Sequence, residues 1–163
     1  VLVFAKEKKS AAVLTKQLSA GTLNKQYYAV LCGYPDASEG ELVDYLRKEG
    51  SVAVAVTGRE KNFPDAKIAK LHYSILEKIN QPMPLALADV CIETGRFHQI
   101  RVQFASRRTP LWGDQRYNPQ ARPGQQIALW AVSLTLRHPV TQETMTFTCP
   151  PPNSVPWNLF YPS

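Results

Sequence analysis

Apolar and polar residues recur along this chain with two different periods, and each change of period marks an element. Residues 1–5, VLVFA, form a short continuous apolar run, the pattern of a buried strand. In residues 9–21 the apolar positions Ala11, Ala12, Val13, Leu14 and Leu18 suit a helix, and Gly21 follows as a stop signal. Residues 25–33, KQYYAVLCG, are rich in aromatic and β-branched side chains and end in glycine, which predicts a strand. Tyr27 and Tyr28 must then point to opposite faces, and both read as core on this pattern alone. A loop is expected over 33–40. Residues 40–50, GELVDYLRKEG, suit a short helix or an irregular segment. Strict alternation returns in 51–58, SVAVAVTG, and residues 61–67 are polar and turn-like. Residues 67–79 (KIAKLHYSILEKI) and 84–95 (PLALADVCIETG) predict two more strands. Residues 126–140 and 143–150 predict a hairpin-like strand pair across HPVTQE. The proline-rich stretch 150–163 is expected to lie extended over the surface.

The ambiguous segment is ETGRFHQIRVQFASRR, residues 93–108. Gln99, Arg101 and Gln103 alternate with Ile100, Val102 and Phe104, as in a strand. Phe97, Ile100, Phe104 and Ala105 also fall on one helical face. The strand before it and the break at Gly95 favour a helix, with Thr94 as its N-cap. Arg96 would then stand in the first turn, where a cation opposes the helix dipole. Two explanations compete. A phosphate or carboxylate would give Arg96 a partner there; alternatively its long stem reaches into water. Arg101, Arg107 and Arg108 suit either a phosphate track or a solvated basic face.

Strands outnumber helices, and no regular βαβ alternation appears. The expected fold class is α+β, with a mainly antiparallel, mixed sheet and a few helices. The length of 163 residues fits one domain with a real core. Lys and Arg exceed Asp and Glu by 19 − 13 = 6, which makes nucleic acid a live partner. No apolar run approaches the roughly 18 residues of a membrane span, and residues 1–9 lack the layout of a signal peptide. The three cysteines are far apart, with no C-x-x-C pair, so free thiols in a reducing cytoplasm are expected. The three histidines are equally scattered, and no metal-ligand spacing is visible. The chain starts directly on an apolar run rather than on polar residues, which is expected of a start inside a domain.

The stretch ETGRFHQIRVQFASRRTPLWGDQRYN resembles the T-G-R-x-H-Q-I-R-V … G-D-x-x-Y signature of RluA-type RNA pseudouridine synthases. KQYYAVLCG is similar to that family's K-x-Y-x-A-x-V-x-G strand, and LRHPVTQETMTF to its late hairpin. VLVFAKEKKSAAVL resembles the stretch that follows the family's catalytic H-R-L-D loop. The resemblance covers nearly the whole chain and implies a partial pseudouridine synthase catalytic domain over 1–163. It implies conversion of uridine to pseudouridine in ribosomal or transfer RNA, by base flipping, with no cofactor and no metal. The nucleophilic Asp is expected upstream, so this chain alone is expected to be inactive. The alternative is a noncatalytic RNA-binding remnant. By the same resemblance Tyr27 is the active-site tyrosine that packs on the uracil, and Arg96 pairs with the catalytic Asp. Lys25, His98, Gln99, Ile100 and Arg101 are the implied RNA-binding positions, with Ile100 near the base pocket. Asp114 is taken as structural.

Overall fold

The computed structural model describes residues 1–160. In chain order the elements are α1 (Lys8–Ser19), β1 (Asn24–Cys32), β2 (Glu39–Glu49), β3 (Val52–Val56), β4 (Lys67–Ile79), β5 (Leu85–Ile92), α2 (Gln99–Ala105), β6 (Leu129–Arg137) and β7 (Thr144–Thr148). Short 3-10 turns occupy Gly58–Asn62 and Trp157–Leu159. The seven strands make one sheet in the order β3-β2-β4-β5-β1-β6-β7. Every neighbouring pair is antiparallel, so the α+β class stands and the sheet is not mixed.

Period-two alternation explains how one sheet carries two cores. On one face Ala29 and Leu31 of β1 and Ala88 and Val90 of β5 meet Ile100 and Phe104 of α2. On the other, Val30, Cys32, Leu85 and Leu87 meet Trp157 and Phe160. Tyr27 packs with the first cluster and Tyr28 with the second, so the tyrosine pair does split across the sheet. α2 packs on β2 and β3, and α1 on β6, where Leu14 meets Leu134 and Leu136. Leu134 stands opposite Lys25 in register, and Lys25 shares a face with Tyr27 two residues on. Both helices therefore cover the Tyr27 face, and β1 runs between the strands that carry them.

Three expectations fail here, each for a physical reason. Residues 1–5 are not a strand: β6 is already paired on both edges, by β1 and β7, and the segment meets it through the Val1 amine, which donates to Ala131 O at 2.8 Å, and the Val1 side chain, which packs on Leu134 and Leu136. Leu2 and Phe4 are exposed. Residues 40–49 of the segment expected as a short helix or irregular belong to β2, held between β3 and β4, and Gly50 opens the turn to β3. Their alternation is disguised because Asp44 stands between Leu42 and Leu46 on the core side, where Gln103 and Arg107 bond its carboxylate. The proline-rich stretch is anchored rather than simply laid over the surface, since Trp157 and Phe160 are buried; each such side chain stabilises by roughly 1.5–3 kcal/mol. Residues 161–163 of that stretch lie outside the described residues. The three cysteines are free, and no described helix is long and apolar enough to cross a membrane.

Candidate active site

The turn between β5 and α2 is built around one buried amide. Gln99 is only 4% exposed. Its Oε1 accepts from Thr94 Oγ1 at 2.8 Å and from the Arg96 N–H at 3.0 Å. Its Nε2 donates to Lys70 O at 2.9 Å, and Thr94 Oγ1 in turn accepts the Lys70 N–H at 2.9 Å. The amide thus fastens Thr94–Arg96 to the end of β4.

This corrects the expected helix start. Thr94 does not cap α2; its hydroxyl serves Gln99 and β4. α2 begins at Gln99, and His98 precedes it in the left-handed region (φ 52°, ψ 24°) with no side-chain cap. Arg96 stands three residues before the helix, outside its first turn. Its Nε donates to Ile68 O at 2.9 Å, and the side chain is exposed. None of the ion pairs among the described residues uses Arg96.

Two other cations of the motif, Arg101 and Arg107, are committed inside the chain. Arg101 forks onto Asp114, with Nε to Oδ2 at 2.9 Å and Nη2 to Oδ1 at 2.6 Å, and its guanidinium lies over the Tyr117 ring at 5.1 Å. Asp114 is 0% exposed and also accepts the N–H groups of Arg116 and Tyr117. Burial pushes its carboxyl upward, but Arg101 and the two N–H groups outweigh that and hold it below the usual range. The preceding Gly113 has φ +69°, and a side chain there would collide with Gln126 O, so this turn requires glycine. Arg107 forks onto Asp44. Arg108 carries no ion pair among the described residues.

His98 Nδ1 lies 2.9 Å from the Tyr117 hydroxyl, which also accepts the Ala53 N–H at 2.7 Å. Burial, followed by the nearby Arg101 and Arg116 charges, holds the His98 imidazole below its ordinary pKa. It is neutral at pH 7. Ile100 is 6% exposed and belongs to the core under Tyr27. Burial raises the Tyr27 phenol above its ordinary pKa, so it stays protonated at neutral pH. Lys25 is half-buried on β1.

The sequence positions therefore separate into two groups. Tyr27 and Ile100 share one core on the face that α1 and α2 cover, and Lys25 stands on that face too. Arg96 projects from the turn at the edge of β4. Gln99 and Arg101 have their polar groups bonded within the protein. Asp44, Gln103 and Tyr117 were missed as parts of this frame; only Tyr117 had a signal, as the tyrosine of G-D-x-x-Y. Glu41, His72 and Glu93 also meet, with ligand atoms within 4.8 Å of one another. All three are exposed, and the His72–Glu93 pair at 2.6 Å accounts for part of their closeness.

A family profile described as RNA pseudouridylate synthase matches residues 1–106. The chain is 31% identical over 151 residues to the uncharacterized RNA pseudouridine synthase YhcT of Bacillus subtilis, covering 93% of this chain and 48% of that protein. It is 32% identical over 171 residues to the ribosomal large subunit pseudouridine synthase D of Pasteurella multocida, covering 93% and 49%. The tRNA pseudouridine synthase C of Yersinia pestis is 30% identical over 166 residues, covering 91% of this chain and 63% of that protein. The chain thus spans about half the length of the first two. Among solved structures, human RNA pseudouridylate synthase domain containing 1 shares the fold, with TM-score 0.74 at 21% identity over 91% of this chain and 62% of that one.

Proposed function

This chain belongs to the RNA pseudouridylate synthase family, and from that premise we propose that it is part of an enzyme converting uridine to pseudouridine in structured ribosomal or transfer RNA in the cytoplasm. The observation that carries this reading is the contrast around Arg96. Arg101 and Arg107 are bound to carboxylates within the chain, whereas Arg96 is exposed and has no acidic partner among the described residues. A guanidinium fixed through Nε, with its outer nitrogens uncommitted, suits a bidentate grip on a carboxylate.

In this account the carboxylate is the nucleophilic Asp, supplied from sequence outside these 163 residues. The uridine leaves the base stack and enters the site. Its uracil detaches from C1′ of the ribose, turns, and rejoins through C5, which loses its proton. Tyr27 gives the base a flat wall. Its raised pKa favours packing over service as a phenolate. Ile100 backs that wall from the core, and Lys25 faces the RNA from the same side of β1. Gln99, Arg101 and His98 hold the turn that aims Arg96 and act through it rather than on RNA. No cofactor or metal enters this reaction. Residues 1–163 form one part of the catalytic domain and do not turn over alone.

Release of tritium from RNA labelled at uridine C5 tests the reading. The full-length protein is expected to release tritium from bulk ribosomal or transfer RNA, and residues 1–163 alone are not. Absence of release above background by the full-length protein on both RNA pools refutes the synthase reading.

A further inference from the structure

Phe97 lies between Arg96 and His98, and its ring is 43% exposed. A single exposed apolar side chain is ordinary. This one is braced. The His98 ring stacks on it, with centroids 3.9 Å apart and planes 22° apart. His98 is held in turn by the Tyr117 hydroxyl, and its ring meets the Tyr117 ring edge-on at 5.6 Å. The left-handed backbone at His98 is the local distortion that accompanies this arrangement.

Cations surround the braced ring. Lys48 of β2 places Nζ 4.8 Å from the Phe97 centroid. Arg96 adjoins it in sequence. Arg116 is tied to Ser51 at the β2–β3 turn through Nη1 at 2.7 Å, and its charge reaches His98. The nearby acidic groups are engaged by other arginines: Asp114, whose charge also reaches His98, by Arg101, and Glu49, next to Lys48, by Arg47. A rigid aromatic plane with mobile cations at its margin is the arrangement that binds unpaired nucleotides, with the ring taking a base and the cations taking phosphates.

We infer that Phe97 and Lys48 form a stacking platform for an unpaired nucleobase next to the flipped uridine, with Lys48 moving from the ring to the neighbouring phosphate when RNA arrives. The platform rests on the synthase reading for the identity of the RNA. It adds a positioning residue: Phe97 holds the strand while the adjacent Arg96 serves the chemistry. The flexible Lys48 stem permits the exchange, because an ammonium over an exposed ring holds it only weakly.

The test uses full-length protein and two stem–loop RNAs. Each has one uridine in its loop and 2-aminopurine on the 5′ or the 3′ side of it. Stacking on an aromatic ring quenches 2-aminopurine. Wild-type protein is expected to quench one of the two probes. Phe97→Leu is expected to lose that quench and to bind the probe about tenfold or more weakly, with Phe97→Tyr restoring both. Phe97→Leu should keep its thermal midpoint, since the ring is exposed. Lys48→Ala should reduce the slope of log affinity against log salt by about one ion. Quenching and affinity unchanged in Phe97→Leu overturn the platform, and an unchanged salt slope in Lys48→Ala overturns the lysine's part in it. Absence of quenching of either probe by wild type also overturns it. If wild type quenches a probe but releases no C5 tritium from either RNA pool, the synthase reading fails and the platform stands.

Discussion

Gln99, Arg101, Gln103 and Arg107 turn their polar ends toward the protein, while Arg96 and Phe97, just before them, are exposed. Residue type does not separate Arg96 from Arg101, since each is an arginine next to an apolar residue. Their surroundings do. α2 lies across β2 and β3; β2 presents Asp44 and Leu42 O, β4 presents Ala69 O and Lys70 O, and Asp114 meets it from the following turn. The preceding turn hangs at the end of β4 with water beyond it. One motif therefore has two parts: a helical half bonded into the protein, and an exposed turn that the proposed function makes its working edge.

The comparison can be broken from the anchored side first. Asp114→Ala leaves Arg101 half-buried without its carboxylate and frees two N–H groups. Loss of one partner of a buried pair costs about 3–5 kcal/mol, so chemical denaturation should show a large fall in stability. Gln99→Ala should cost less, about 1–3 kcal/mol, because Lys70 O and Thr94 lose partners in a largely buried turn. If either variant melts with wild type, the anchor account is wrong.

Acid sharpens the same point. The folded-state pKa of Asp114 is depressed, so its contribution is fully present above the unfolded value of about 3.9 and is lost as pH falls through the folded value. A marginally folded Asp114→Asn variant should lose less stability than wild type over that acid range. His98 is also depressed, mainly by burial. Below its unfolded pKa of about 6.5 the unfolded chain binds the proton first, so stability falls as pH drops from there toward the folded value. NMR titration should place the His98 midpoint below that of a free histidine. A midpoint at or above the free value contradicts its packing against Phe97 among three cations.

The smallest stability effect belongs to Arg96. Its exposed side chain makes one bond to Ile68 O, and Arg96→Ala should change stability by no more than about 0.5 kcal/mol. A loss as large as that of Asp114→Ala would move Arg96 from the working edge to the anchor.

Most strands were legible, but from two signals. Period-two alternation marked residues 51–58 and 67–79, whereas 25–33 and 84–95 carry apolar, aromatic and β-branched runs that suit strands buried on both faces. β2 was not legible. Asp44 occupies a core-side position, and the Leu42–Leu46 spacing then mimics a helix. Its strand character comes from neighbours on both edges, which local sequence does not reveal. Residues 1–5 failed in the opposite way: the apolar pattern was present, and the segment lies against β6, whose two edges are already paired by β1 and β7. At the site, the sequence marked the residue types of 94–101 but not their directions. Gln99 and Arg96 look equally polar in a string. Only the ends of β4 and α2 decide that one is buried and the other exposed. The partners Asp44, Asp114 and Tyr117 are distant from α2 in sequence or fall in the following turn, so the pairing of Arg101 and Arg107 could not be read locally.

In the proposed function Arg96 acts on chemistry from a turn to which its side chain adds one bond, to Ile68 O. C5-tritium release and RNA affinity, measured together on full-length Arg96→Ala, test this most directly. The expected result is loss of turnover by at least a hundredfold, about 2.7 kcal/mol of transition-state stabilisation, with RNA affinity and melting temperature close to wild type. Turnover and affinity falling together by the same factor would make Arg96 a phosphate contact, and turnover unchanged would remove it from the site.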